Sequence, residues 1–264
     1  MKEFLHTQNV SFTIRDVTTD DSAIVELGRL GVMTTPVTVV DGETVVGYDV
    51  NRLKTLLGVR LDRKAHWERV YTTKASDAVS WFQSEPTVSL RLLDAAGVTP
   101  ESRIIDVGGG DSRLVDRLLE RGLRRVFVLD VSGAAIARAK ARLGEQQTRV
   151  TWIETDVNGE WHVPAVDIWH DRAVFHFLTD PDDRRRYVEQ LHRAVIPGGA
   201  VVMATFALDG PEKCSGLPAM RYSPETMSAE LGSEFRIVES LNDKHQTPSG
   251  TTQSFCYTRF ARTV

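Results

Sequence analysis

With 264 residues, 41% of them hydrophobic and 26% charged, the chain has the composition of a globular protein, long enough for a domain of about 200 residues and an appendage. A net charge of −4 gives no basic field for nucleic acid, no apolar run approaches the ~18 residues of a membrane helix, and Met1-Lys2-Glu3-Phe4-Leu5-His6 lacks the apolar centre of a signal peptide. Two cysteines, Cys214 and Cys256, make neither a disulfide framework nor a four-thiolate zinc site, so no metal is expected and a reducing cytoplasm is the expected location.

Residues 1–59 read as a unit of their own. Lys2 to Thr7 reads as the end of a helix, and 11–17 alternates like a strand. Asp21-Ser22 opens a helix whose apolar positions Ile24, Val25, Leu27 and Leu30 lead to Gly31. Thr35-Pro36-Val37-Thr38-Val39-Val40 reads as a strand, Asp41-Gly42 as a hairpin turn and 44–48 as the partner strand. Asp49 caps a last helix over 50–57, ended by Gly58.

This order is similar to that of a glutaredoxin, a small thioredoxin-fold protein. Thr35-Pro36-Val37 matches its cis-proline loop, and Gly47-Tyr48-Asp49 matches the turn before its last helix. The match begins after the redox motif. The first strand and the Cys-x-x-Cys are missing, and no cysteine precedes Cys214, so dithiol chemistry does not carry over. In the glutaredoxin layout the missing strand lies between 11–17 and the hairpin, and its loss leaves unpaired backbone groups on both sides. Closure of 11–17 onto the hairpin is the expectation that needs no partner. A strand from elsewhere, or a start upstream of Met1, are the alternatives. Packing or recognition, including homodimer formation through this segment, is the role expected of such a remnant.

Leu61 to Lys64 reads as a short charged link to a second unit, 64–264. His66-Trp67-Glu68-Arg69-Val70-Tyr71 is helix-like, Ser80-Trp81-Phe82 follows a polar loop, and 86–96 is an amphipathic helix. Then comes Ile104-Ile105-Asp106-Val107-Gly108-Gly109-Gly110-Asp111-Ser112, a strand running into a glycine turn and a helix over 113–121. Three glycines let backbone pass close under a ligand. Val126-Phe127-Val128-Leu129-Asp130 is a second strand, ending in an acid roughly two dozen residues after Asp106, where a ribose diol can be held. A third strand is expected over 150–157, including Asp156 and Val157, and a fourth over 167–172. Helices between them make the sheet parallel and doubly wound.

With these residues in hand, 64–264 resembles a class I S-adenosylmethionine-dependent methyltransferase. Asp106-Val107-Gly108-Gly109-Gly110 matches its acid-x-Gly-x-Gly signature, Asp130 its ribose-binding acid, Asp156-Val157 its adenine-contacting pair, and Pro197-Gly198-Gly199 the loop before its fifth strand, 200–206. Ser112 stands where the family often has a further glycine. A nicotinamide-binding Rossmann domain is the competitor, but Arg113 occupies the place of its last glycine. The resemblance implies an α/β fold: a doubly wound, mostly parallel, seven-stranded Rossmann-like sheet, beside the smaller truncated thioredoxin-fold unit. It implies S-adenosylmethionine as cofactor, held by Asp106, Gly108, Gly109, Gly110, Ser112, Asp130, Val131, Asp156, Val157 and His170. Aromatic residues of the preceding helices fold over the cofactor in this family, which points to Tyr71 and Trp81; Trp67 is expected to pack on the core.

The carboxyl end of the fourth strand is where the family's reacting groups sit. Asp171 or His176 is expected to take a proton, and Arg172 to hold an anionic substrate. The 207–222 stretch, too long for a simple connection, is expected to shape the acceptor pocket. Within it Cys214 lies beside Lys213, where a thiol can ionise and meet a soft centre, although a lone cysteine in a loop is more often inert; Cys256 reads as core. Arg221 and His245 are expected at the same rim. Methyl transfer to a small molecule is the reading these features favour, with a protein-lysine methyltransferase and a non-catalytic cofactor-binding adaptor as alternatives.

Overall fold

The computed structural model describes residues 1–7, 10–58 and 62–263. It divides into two compact units, Met1–Asp62 and Arg63–Val264. Val59, Leu61 and Val264, at the expected domain ends and link, lie outside the described residues.

In the first unit α1 spans Lys2–Thr7 and α2 Asp21–Arg29, with the Asp20 carboxylate accepting from the backbone N–H groups of Ser22 and Ala23 at its start. Strands β1 (Val37–Val40) and β2 (Glu43–Val46) pair antiparallel around Asp41-Gly42, both at positive φ (48° and 87°). That is the mirror-image turn a two-residue hairpin favours. The Thr35–Pro36 bond is cis. Helix α3 (Val50–Leu56) starts where Asp49 Oδ1 accepts from Arg52 N at 3.0 Å. Leu5, Ala23, Val45 and Leu53 are buried.

The strand expected at 11–17 does not form, and the hairpin stays two-stranded. The segment is held by its side chains instead. Arg15 bonds Asp20 at 2.8 Å and Glu26 at 2.6 Å, and Asp16 Oδ1 accepts from Thr18 N at 2.9 Å, closing an Asx turn. Closure onto the hairpin is therefore corrected. These short-range bonds to α2 and within the turn fix 15–20 in a loop.

The second unit opens with α4 (Arg63–Thr73) and α5 (Thr87–Ala95). Strand β3 (Arg103–Val107) leads to α6 (Leu114–Glu120), β4 (Arg125–Asp130) to α7 (Gly133–Leu143), and β5 (Val150–Glu154) to β6 (Val166–Arg172). Helix α8 (Pro181–Ala194) is followed by β7 (Val195–Phe206), a small hairpin of β8 (Lys213–Cys214) and β9 (Leu217–Pro218), helix α9 (Pro224–Leu231), and the long strands β10 (Phe235–Gln246) and β11 (Thr252–Arg262).

The seven-stranded sheet has the order β10-β11-β7-β6-β3-β4-β5, parallel from β7 to β5, with β11 antiparallel to both its neighbours. Central strands such as β3 are buried at most positions, four of five here, because helices cover both faces. One detail differs from expectation: β5 stops at Glu154, which leaves Asp156 and Val157 in the loop beyond it. β10 pairs with β11 along its whole length, from Phe235 to Gln246. Among the described residues no helix is long and apolar enough to cross a membrane, and no three His, Cys, Asp or Glu side chains converge as metal ligands.

Candidate active site

The sheet order reverses at β3, which has β4 on one side and β6 on the other. In open α/β sheets a crevice forms at the carboxyl ends of the strands at such a point. Gly108 sits there at φ 68°, and its N–H donates to Leu129 O at 2.7 Å. A Cβ at Gly108 would overlap Val174, one at Gly109 would overlap the Asp106 carboxylate, and one at Gly110 the Asp130 carboxylate. All three glycines are thus required for the turn to close against two acids and the β6 loop.

Asp106 is 2% exposed. Its Oδ1 accepts from His170 Nδ1 at 2.7 Å, while Oδ2 is buried with no partner. His170 Nε2 lies 2.9 Å from Ser89 Oγ. The His170 ring has no nitrogen left for a ligand, so it orients Asp106 and does not itself hold a cofactor. Asp130 is 5% exposed and accepts from Ser132 N at 2.8 Å. Burial pushes its carboxyl up to about 7, the charge of Asp106 adds to this, and the N–H groups of Ser132 and Gly110 oppose it. Val131, Asp156 and Val157 line the same cavity. Ser112 lines an adjoining cleft with Asp106, Gly109 and Arg113, and its Oγ accepts from Leu114 N at 3.1 Å.

Helix α4 covers this end. Glu68 accepts from Ser132 Oγ at 2.7 Å and from Ala134 N at 3.2 Å, capping the start of α7. Arg63 bridges Asp156 (3.2 Å) and Asp183, and Lys64 pairs with Glu154 at 2.6 Å. Fixed in this way, α4 directs Trp67 and Tyr71 toward Trp81, with edge-to-face ring separations of 5.6 and 6.0 Å. All three line the cavity. Trp67, expected in the core, is corrected to a cavity wall.

The far end is set by β6 and β11. Period-two alternation sends Trp169 and Asp171 to one face and His170 and Arg172 to the other. Asp171 is fully buried and accepts from Val174 N (2.9 Å), Phe175 N (3.1 Å) and Tyr187 OH (2.5 Å). Burial raises its carboxyl to about 6, with the Tyr187 hydroxyl opposing. It does not line the cavity, so the expectation of a proton acceptor is corrected: Asp171 holds the 173–177 turn.

His176 does line the cavity, but as a donor. Its Nδ1 accepts from Phe206 N at 3.2 Å, and burial, then the charge of Arg172, lowers the ring to about 3. The neutral ring therefore carries its proton on Nε2, which has no partner. A base role for His176 is corrected on the same ground. Arg172 donates from Nε to Tyr257 OH (2.8 Å) and from Nη1 to Trp81 O (3.0 Å), while Nη2 is buried without a partner.

Cys214 reaches the cavity from the β8–β9 hairpin, 6% exposed and 3.7 Å from Ser80 Oγ. Burial pushes its thiol up, which agrees with an inert cysteine and not with ionisation beside Lys213. Arg221 pairs with Glu212 at 2.9 Å and His245 donates to Ser80 O at 2.8 Å; neither lines the cavity. Sequence reasoning missed Gln253, Phe255, Phe206 and Phe177, which complete the wall. Three of these come from β7 and β11, whose pairing sets Phe255 opposite Phe206; no local motif signals that.

A glycine turn against two buried acids, at the reversal of a seven-stranded sheet whose last two strands form an antiparallel hairpin, defines a Rossmann-like methyltransferase fold. Comparison with known proteins agrees. Residues 104–199 match the family model described as a methyltransferase domain, and residues 1–45 match that for glutaredoxin. The larger unit thus carries a methyltransferase domain over 104–199 within a sheet of the fold seen in S-adenosylmethionine-dependent methyltransferases, and the smaller is glutaredoxin-like over 1–45.

A tRNA U34 carboxymethyltransferase of Dichelobacter nodosus (strain VCS1703A) is 27% identical over 133 residues, covering 50% of this chain and 41% of that protein. An EEF1A lysine methyltransferase 2 of Danio rerio is 23% identical over 161 residues, covering 55% and 69%. The chain thus spans about two fifths of the first of these relatives. Among solved structures, the Burkholderia thailandensis 1,6-didemethyltoxoflavin-N1-methyltransferase, with bound 1,6-didemethyltoxoflavin and S-adenosylhomocysteine, superposes at a TM-score of 0.56 with 18% identity, covering 87% of this chain and all of that one. At that identity the likeness shows the fold.

The donor set also fits the cofactor. Asp106 Oδ2 is an orphaned acceptor beside the glycine turn, suited to an ammonium. Asp130 is a buried carboxylate suited to a diol, and Trp67, Tyr71 and Trp81 offer flat apolar surface.

Proposed function

We propose that this protein transfers a methyl group from S-adenosylmethionine to a small-molecule acceptor. One observation carries the reading: a single cavity runs from Asp130, Asp156 and Val157 past Gly108 and Trp81 to Arg172, His176, Phe206 and Gln253. In this reading a cofactor end and an acceptor end share one cavity. The cofactor supplies an electrophilic methyl carbon on a sulfonium. The chain's own residues bind, orient and exclude water. Asp130 takes the ribose, Asp106 the amino group, and the Trp67–Trp81 pair closes over the top. Among the described residues the acceptor end offers no side chain suited to act as a base, since Asp171 is turned away, His176 presents an N–H and Cys214 holds its proton. The acceptor therefore arrives with a free lone pair.

The test is incubation of the purified chain with methyl-labelled cofactor and size-fractionated cell extract. Label in the small-molecule fraction supports the reading. Label in protein supports the second reading, a protein-lysine methyltransferase, which the Danio rerio relative favours. Cofactor binding with no label transferred supports a non-catalytic adaptor. Homodimer formation through the N-terminal unit belongs to this reading as well; strand edges that are unpaired among the described residues and exposed Ile24, Val25 and Met33 support it, and light scattering tests it. The two free, buried thiols fit a reducing, cytoplasmic setting.

A further inference from the structure

The acceptor end of the cavity holds a charge with nothing to balance it. Arg172 makes two neutral hydrogen bonds, to Tyr257 OH and Trp81 O, and its guanidinium stacks 4.6 Å from the centre of the Phe255 ring. Among the described residues it has no carboxylate partner, and Nη2 is buried and unpaired. Beside it on the same cavity wall the Nε2–H of His176 is also unpaired, in a side chain with 0% exposure. Two buried donors left open, one of them cationic, are costly in a folded protein unless a ligand satisfies them. The walls around them are aromatic: Trp67, Trp81, Phe177 and Phe206. Gln253, 7% exposed, adds one unpaired acceptor, Oε1.

We infer that the acceptor is a flat, unsaturated small molecule bearing an oxyanion, which Arg172 Nη2 and His176 Nε2–H bind together while the ring lies between aromatic walls. The inference rests on the methyltransferase reading and narrows its substrate class. The alternative ligand for Arg172 is the cofactor's own carboxylate, because Arg172 also borders the cleft that holds Asp106 and Ser112. The convergence of Arg172 with His176 and Gln253, which border only the other cavity, favours the acceptor. A carboxylate and an ionised acidic hydroxyl share this chemistry, since both present a delocalised negative oxygen to a planar donor pair.

The experiment is calorimetry on the full chain loaded with S-adenosylhomocysteine, which cannot react. Benzoate and 4-nitrophenolate are titrated at pH 8 against benzamide, nitrobenzene and benzylammonium. The expected result is at least one anion binding about tenfold or more tighter than its neutral counterpart. Benzoate or nitrophenolate as the preferred anion tells a carboxylate from a hydroxyl. Arg172→Gln is expected to remove that preference, Arg172→Lys to keep part of it, and both to leave S-adenosylhomocysteine affinity within about threefold. The inference is overturned if neutral or cationic ligands bind as well as the anions, or if neither anion binds the loaded protein. It is also overturned if Arg172→Gln weakens S-adenosylhomocysteine while anion preference survives. Failure of the wild-type chain to bind S-adenosylhomocysteine is a separate outcome, and removes the methyltransferase reading itself.

Discussion

Asp130→Asn separates the charge of the proposed ribose acid from its shape. The wild-type carboxyl is buried, and its proton leaves at about 7, so about one tenth is ionised at pH 6 and about nine tenths at pH 8. Only the ionised form can accept from both hydroxyls of a diol. Wild-type affinity for S-adenosylmethionine should therefore rise about tenfold between those pH values. At pH 8 the asparagine, which offers one acceptor and a competing NH₂, should lose about 1.5–3 kcal/mol, the worth of a hydrogen bond to a charged group, or roughly 10- to 150-fold in Kd. Its affinity should not change with pH over this range. Stability without ligand gives an independent check. The folded state holds the Asp130 proton up to about 7, whereas an unfolded aspartate loses it near 3.9, so the folded state binds more protons in between and wild-type stability falls as pH rises through that window. In the asparagine variant this slope should flatten. Calorimetry for binding and urea melts at four pH values measure both effects. An asparagine variant with wild-type affinity at pH 8, or wild-type affinity that is flat from pH 6 to 8, refutes the reasoning.

Three further outcomes are expected. Gly108→Ala forces a side chain into φ 68° and into Val174, which should cost about 1–3 kcal/mol in urea melts and weaken cofactor binding; an unchanged melt contradicts the turn geometry. Cys214, buried with a raised thiol, should resist iodoacetamide at pH 8 until the chain is unfolded, as read by mass spectrometry, and rapid labelling of the native protein would contradict its burial. Glu68→Gln should loosen α4 from α7, seen as faster proteolysis within 63–73. The Ser132 hydroxyl holds the Glu68 carboxyl below its ordinary value, so the stability it contributes is present above about pH 4.5 and is lost as pH falls through that lowered value; a variant with wild-type protease resistance and acid profile excludes the cap.

Part of the site was legible because its signal is local. Asp106, Gly108–Gly110 and Asp130 are set by short spans of chain, and the structure assigns each glycine a contact that only glycine permits. Arg172 and His176 were legible as positions but not as roles. His176 becomes a donor through Phe206 N, and Arg172 keeps only Nη2 unpaired, with Tyr257 and Trp81 taking its other groups. Those partners come from β7, β11 and the loop after α4, and the antiparallel pairing of β7 with β11 joins segments far apart in sequence. Gln253 and Phe255 escaped notice for the same reason.

Asp171 and residues 11–17 show what alternation can and cannot decide. On a strand, Asp171 must share a face with Trp169, and Trp169 is an indole bound for the core; its Nε1 donates to the same Tyr187 hydroxyl that donates to Asp171. That parity was present in the sequence and argues against a proton acceptor in the cavity. In 11–17 the same period is present, Phe12 and Ile14 against polar neighbours, yet no strand forms and Ile14 is 54% exposed. Period two states which side chains would share a face once a strand exists, but a strand exists only if its backbone finds a partner. With Arg15 drawn into Asp20 and Glu26 and Asp16 closing its own turn, the local bonds to α2 are available without one. The outcome at 11–17 was set by the competition between those bonds and an absent neighbour, and alternation carries no information about that competition.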